Sequence, residues 1–192
     1  MQKGDAQMTS AEKRLYFPFD LAAFILIVII GGALHFTWDL AKEFSYLRWL
    51  AVLMPVNESN WEHAKLAAWP MLVWAIVILQ RKMGVKNMKG WAMPAALAIW
   101  SAYTVMFFTH AALPEAFGKL GFIQYVGSFM VGIAHGIMAF RVTAETGFAR
   151  KTWAIGAALL ISFFVMLIIF TYHPPRIPLF IDGPTGTYGI TY

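Results

Sequence analysis

The side chains able to do chemistry in this chain are histidines and carboxylates gathered near the ends of long apolar runs. His35, His63, His110 and His173 all stand at such ends, whereas His135 lies inside a run. Asp39 follows His35 by one helical turn and shares its face, and Glu58 and Glu62 flank His63 within the polar string Pro55-Val56-Asn57-Glu58-Ser59-Asn60-Trp61-Glu62-His63-Ala64-Lys65. Imidazole nitrogens and carboxylate oxygens form a ligand set suited to zinc, with copper and iron as alternatives. The expected ligands are His35, Asp39, His63 and His110. In a hydrolytic site, zinc lowers the pKa of a bound water and Glu62 or Glu58 serves as general base. Asn57, Asn60, Lys65 and His173 complete the polar set.

Each of these residues also has a structural reading. His35 with Asp39 suits an interhelical hydrogen bond. Ser59 and Glu62 match a capping box, and Trp61 suits an interfacial anchor. Glu58 and Asn60 suit a fixed loop. His110 reads as the C-terminal cap of a helix, and His173, followed by Pro174 and Pro175, ends another. Capping alone does not require Asn57, Glu58, Asn60, His63 and Lys65 together, and ionisable groups near the membrane interior are costly unless paired or used.

The elements that position these groups follow from hydropathy. Of 192 residues, 59% are hydrophobic and 13% charged, about half the charge of a soluble domain. That much apolar surface needs lipid as solvent. Apolar runs of about 20 residues, enough to cross the hydrocarbon, occupy 21–40, 61–79, 91–110, 121–140 and 152–172. They predict an all-α integral membrane bundle of about five transmembrane helices in a single domain. A tail at 1–19 precedes the bundle at 20–172, and an ordered, irregular tail follows at 173–192. The first run is longer than the apolar core of a leader and is read as a retained span. Trp38, Trp49, Trp61, Trp91 and Trp153 lie where aromatic rings favour the headgroup layer. Pro70 interrupts the second span and is expected to kink it. Ser128, Gly132 and Gly136 form a small-residue seam on which a neighbouring helix can approach closely.

The net charge of +5 resides in short loops and speaks of topology, with no nucleic-acid surface. Lys3, Lys13, Arg14, Arg81, Lys82, Lys86, Lys89, Arg141, Arg150 and Lys151 fall on one side of the five-span arrangement. Lys42, Arg48, Lys65, Lys119 and Arg176 fall on the other. By the positive-inside rule, the N-terminus is cytoplasmic, the C-terminus extracytoplasmic, and the location the cell (inner) membrane. The four histidines at the run ends then share the extracytoplasmic end. The absence of cysteine removes disulfides and thiolate metal sites from this chain. The tail after Tyr172 mixes Pro and Gly with apolar residues, which predicts a docked, non-helical segment folded as a lid over the outer mouth.

The order His35…Asp39, then residues 55–65, then the C-terminal string at 175–190 resembles an uncharacterised family of small bacterial and archaeal multi-pass membrane proteins, a domain of unknown function. The resemblance spans nearly the whole chain. It implies a helical membrane protein and no assigned activity. His110 and His135 lie outside its motifs. In arrangement alone, the chain is similar to intramembrane metal hydrolases such as alkaline ceramidases and the adiponectin-receptor group, but lacks their late pair of histidines. Three functions remain open: a metal-dependent enzyme acting on a membrane lipid or other amphiphile; a non-catalytic subunit associating with other membrane subunits or as a homo-oligomer; and a transporter or proton pathway.

Overall fold

A computed structural model describes residues 10–80, 88–118 and 121–190, and for 10–18, 88 and 114–117 the backbone alone. Lys3, Arg81, Lys82, Lys86 and Lys119, which carry part of the charge asymmetry, lie outside the described residues, as do the side chains of Lys13 and Arg14. The chain is helical: α1 (Ser10–Ala41), a 3-10 helix (Ser45–Val52), α2 (Ala64–Ile78), α3 (Met88–Phe117), α4 (Phe122–Ala144), the short α5 (Phe148–Lys151) and α6 (Trp153–Tyr172), followed by a 3-10 turn at Pro178–Phe180. Among the described residues, four stretches are long and apolar enough to cross a membrane: Phe19–Ala41, Lys89–Leu113, Phe122–Ala144 and Trp153–Tyr172. A fifth, α2, is apolar but has 15 residues, about 22 Å of helix against about 30 Å of hydrocarbon.

Two expected boundaries differ. Helix α3 continues past His110 to Phe117, so His110 lies within the helix and is not its cap. Helix α2 starts at Ala64 rather than Trp61 because 55–63 is held in irregular turns by its own side chains. Ser59 Oγ accepts a hydrogen bond from the Glu62 amide at 3.2 Å, which is half of a capping box. The Glu62 carboxylate does not complete it, because it turns instead to Lys65 and to the Val56 amide. The Ser59 amide donates to Asn57 Oδ1.

Helix α3 is the hub, packing against α2, α4 and α6. Small residues make this possible. A Cβ on Gly132 or Gly136 would come within 2.6 Å of the Ala102 carbonyl oxygen or 2.7 Å of that of Ala98, so the seam seats α4 against the α3 backbone. On α6, a Cβ on Gly156 would meet the Met93 nitrogen at 2.3 Å. Trp61 is buried instead of anchoring at an interface, as is Trp38. The Trp61 ring is surrounded by Tyr103, Phe163, Phe170 and Phe180 at centroid distances of 5.3–6.1 Å. Trp49 and Trp153 remain exposed.

At the top of the bundle lies a buried ion pair. Lys65 has 0% exposure, and its ammonium donates to Glu62 Oε2 at 2.5 Å and to the carbonyls of Ala51 and Met54 at 2.7 and 3.2 Å. All three of its protons are thereby used. Glu62 Oε2 also accepts the Val56 amide at 3.0 Å, and Oε1 lies 3.3 Å from the Thr171 hydroxyl of α6, which donates more closely to Leu167. Removing one partner of a buried pair leaves an uncompensated charge, at a cost of about 3–5 kcal/mol. Lys65→Met is therefore expected to lower unfolding stability in detergent by about that amount. The double variant Glu62→Gln/Lys65→Met should recover part of the loss, and a double variant no more stable than the single would contradict this account.

Candidate metal centre

Three side chains from two elements converge at one end of a cavity between α1, α2, α3 and α4. His35 comes from α1, Glu58 from the irregular segment, and His63 from the residue preceding α2. Each offers one ligand atom, and the three atoms lie within 4.8 Å of one another. His63 Nε2 is 3.4 Å from Glu58 Oε2, and His35 Nε2 is 3.7 Å from Glu58 Oε1. These separations exceed the 2.7–2.9 Å of a charge-assisted hydrogen bond. They lie near the roughly 3.3 Å between two ligand atoms about 2.0–2.1 Å from a shared tetrahedral zinc. The two imidazole rings are 5.3 Å apart.

The surroundings also suit a ligand set. His63 Nδ1 is 2.8 Å from the Ser59 carbonyl oxygen. A proton there fixes the tautomer and leaves Nε2, the nitrogen facing Glu58, with a free lone pair, as in metal-binding histidines oriented by an outer partner. Glu58 is held through its backbone. Its amide donates to Asp182 Oδ1 at 2.9 Å, while Asn57 Nδ2 donates to the Gly189 carbonyl at 2.9 Å and the Trp61 amide to that of Leu179 at 3.2 Å. The C-terminal tail is thus ordered and irregular, folded against the back of residues 57–61. Its own turn is closed by the Thr185 hydroxyl on Asp182, the Asp182 amide on the Thr187 carbonyl, and an Ile181–Tyr188 bridge. Gly189, at φ 73°, packs on Pro174. No described tail residue lines the cavity; the segment docks on the site loop, with Phe180 buried in the bundle core.

The other expected site residues are distributed as follows. Asp39 is not part of the group: its side chain is 75% exposed and pairs with Lys42 at 2.7 Å. Glu62 and Lys65 are engaged with each other and with backbone groups. Asn57 is engaged with the tail, whereas Asn60 lines the cavity. His110 lines the same cavity from α3, its ring tilted against that of Tyr125 at 4.6 Å between centroids and with Gln124 donating to its carbonyl at 2.9 Å, but stands outside the three-residue group. His173 is exposed at the end of α6, and its amide completes the helix on Ile169. Asp182, which supports Glu58, was not singled out from sequence. Its position three residues before Thr185 in a Pro/Gly turn is the signal that marks it.

The cavity has a volume of about 320 Å³, and away from the polar end its walls are Leu66, Met106, Phe107, Phe122, Val126 and Phe129. Phe36 of α1 and Phe122 of α4, which line it, are 68% and 79% exposed, so it opens at the protein surface between these two helices. At the inner end α1 closes on its neighbours at Gly31, where a Cβ would lie 2.6 Å from both the Leu66 carbonyl oxygen and Phe129.

The chain matches the family of unknown function DUF6512 over residues 6–190. It belongs to that family; among its described residues this chain has four helical stretches long and apolar enough to cross a membrane and one His/carboxylate group. No curated protein and no solved structure matches it.

The neighbouring His63 ring holds the Glu58 carboxyl below its ordinary pKa of 4.5, outweighing partial burial. For His63, burial opposes the charged ring, but the Glu58 carboxylate and the Ser59 carbonyl together raise its pKa above 6.5. In the metal-free protein, the stabilisation from His63 is complete below pH 6.5 and fades as pH rises through its folded pKa. That from Glu58 is complete above pH 4.5 and fades as pH falls through its own. The stability difference between wild type and Glu58→Gln, followed by thermal unfolding of chelated protein, should therefore be largest between these values and shrink above neutrality. A difference that grows with alkalinity would contradict the pairing. Asp182→Ala should speed hydrogen exchange at the Glu58 amide while leaving the amides of α3 protected; unchanged exchange at Glu58 would show that the tail does not brace it.

Proposed function

We propose that this protein is a membrane metalloenzyme that holds zinc through His35, Glu58 and His63 and hydrolyses an ester or amide bond of an amphiphile whose acyl chain occupies the adjoining cavity. The supporting observation is the spacing of the two imidazole nitrogens from one carboxylate, 3.4 and 3.7 Å, at the polar end of an apolar cavity that opens at the surface between α1 and α4. Three protein ligands leave a coordination position for water or substrate, the pattern of catalytic rather than structural zinc. When bound, the metal supplies a Lewis acid and a water acidic enough to attack near neutral pH.

The chain's own residues account for the remaining roles. Ser59 fixes the His63 tautomer, and the tail fixes Glu58. Asn60, on the cavity wall, has a side-chain amide able to orient a substrate carbonyl. Glu62, occupied by Lys65 and the Val56 amide, is a poor base. His110, lining the cavity from α3, is the group placed to pass a proton to the leaving atom. The apolar walls take one chain of the substrate from the membrane side, so that the bond to be cleaved sits at the polar end. On this reading the site works at the extracytoplasmic face of the cell membrane, the side on which the sequence carries fewer basic residues.

Protein purified in mild detergent after growth with added zinc should contain about one zinc per chain. His63→Ala and His35→Ala should lose it, whereas Asp39→Asn should keep it. A fluorogenic long-chain ester should be hydrolysed by wild type, with activity lost on chelation and restored by zinc. His110→Ala should retain zinc and lose on the order of 100-fold or more in kcat. Wild-type protein with less than a tenth of an equivalent of metal, unchanged in His63→Ala, would overturn the proposal.

A further inference from the structure

A second recess lies on the far side of α3 and owes nothing to the zinc reading. Helices α2 and α6 both pack on α3, and their backbones stand apart so that they meet through side chains. Between them runs a groove of about 690 Å³. Its floor is made shallow by Ala92 and Ala157 beside the close contact at Gly156, and its walls are Trp69, Leu72, Leu160 and Phe164. Trp69 and Phe164 meet at 4.5 Å between ring centroids across one end. From Trp153 to Ile168 the groove follows about 22 Å of helix, more than the roughly 15 Å of one leaflet's hydrocarbon.

We propose that this groove binds an anionic glycerophospholipid, with one acyl chain lying along the α3 floor and the phosphate at Lys89. Water in the groove would find no hydrogen-bonding partners along these walls, and an unfilled space would forfeit dispersion contacts. In a bilayer, the molecule at hand to fill it is a lipid chain. The choice of headgroup follows from charge. Among the described residues, Lys89 is the one charged residue lining the groove, and it lies beside Trp91 and Trp153. Its ammonium sits 5.6 Å from the centre of the Trp153 ring, and no carboxylate pairs with it among the described residues. Arg150 and Lys151 are exposed on α5, which packs against α3 close to this end. An apolar channel with a cluster of cations at one end is complementary to a lipid that carries net negative charge.

Delipidated protein in detergent, titrated separately with phosphatidylglycerol and phosphatidylcholine of the same acyl chains and read by native mass spectrometry, tests this. Wild type should bind one phosphatidylglycerol in preference to phosphatidylcholine. Lys89→Gln, at an exposed position, should weaken phosphatidylglycerol binding about fivefold and leave phosphatidylcholine unchanged. Ala157→Phe, which fills the groove, should weaken both, with thermal unfolding confirming that the variant is folded. Equal binding of the two lipids by wild type, or equal phosphatidylglycerol binding by wild type and Lys89→Gln, would overturn the proposal. So would full binding by Ala157→Phe. None of these outcomes depends on whether zinc is bound.

Discussion

The buried pair of Glu62 and Lys65 is the contact on which the upper half of the bundle depends. A carboxylate and an ammonium withdrawn from water persist only if each of their hydrogen-bonding sites is taken up. Here the partners come from separate parts of the chain: the carbonyls of Ala51 and Met54 from the end of the 3-10 helix, the amide of Val56 from the irregular segment, and Thr171 from α6. Meeting those requirements forces residues 51–63 into one conformation. Helix α2 therefore starts late, and the backbone ahead of it enters the bundle without being helical. Buried non-helical backbone persists only where protein groups satisfy it, and the pair takes up the Ala51 and Met54 carbonyls and the Val56 amide.

The tail supplies the rest. Asp182, Gly189 and Leu179 bond to Glu58, Asn57 and Trp61, and Ile190 packs against the cluster of Trp38, Ala41, Ala51 and Val56. The loop bearing Glu58 is thus gripped on one side by a charge pair and on the other by a turn-rich strap. This is the kind of support that keeps a short ligand loop in place when its own sequence offers little helical or strand order. It also explains why Glu58, with a side chain about half exposed, is held beside two imidazoles.

Close packing and open space are complementary outcomes of the same residue choices. Glycines at 132, 136 and 156 draw α4 and α6 onto α3, and Gly31 draws α1 onto α2 and α4. The rings of Phe36 and Phe107 on one side and of Trp69 and Trp153 on the other line the two recesses. One recess ends in imidazoles and a carboxylate, the other in a lysine, so the polar ends distinguish two apolar spaces of similar construction.

The length and apolarity of the helical runs, the close-packing seam at Ser128, Gly132 and Gly136, and the gathering of His35, His63 and His110 at one end were all legible from residue type and spacing. Hydrophobic length and small-residue period are local properties, and they act before any tertiary contact forms. Which carboxylate would meet the imidazoles was not legible. Asp39, one turn from His35, turns outward to Lys42. Glu62, next to His63, is taken by Lys65. Glu58 reaches both histidines because a tail more than 120 residues away in sequence holds its amide. Helical periodicity constrains neighbours on one element, whereas the direction of a loop carboxylate depends on distant partners that compete for the same charges. Only the folded chain settles that competition.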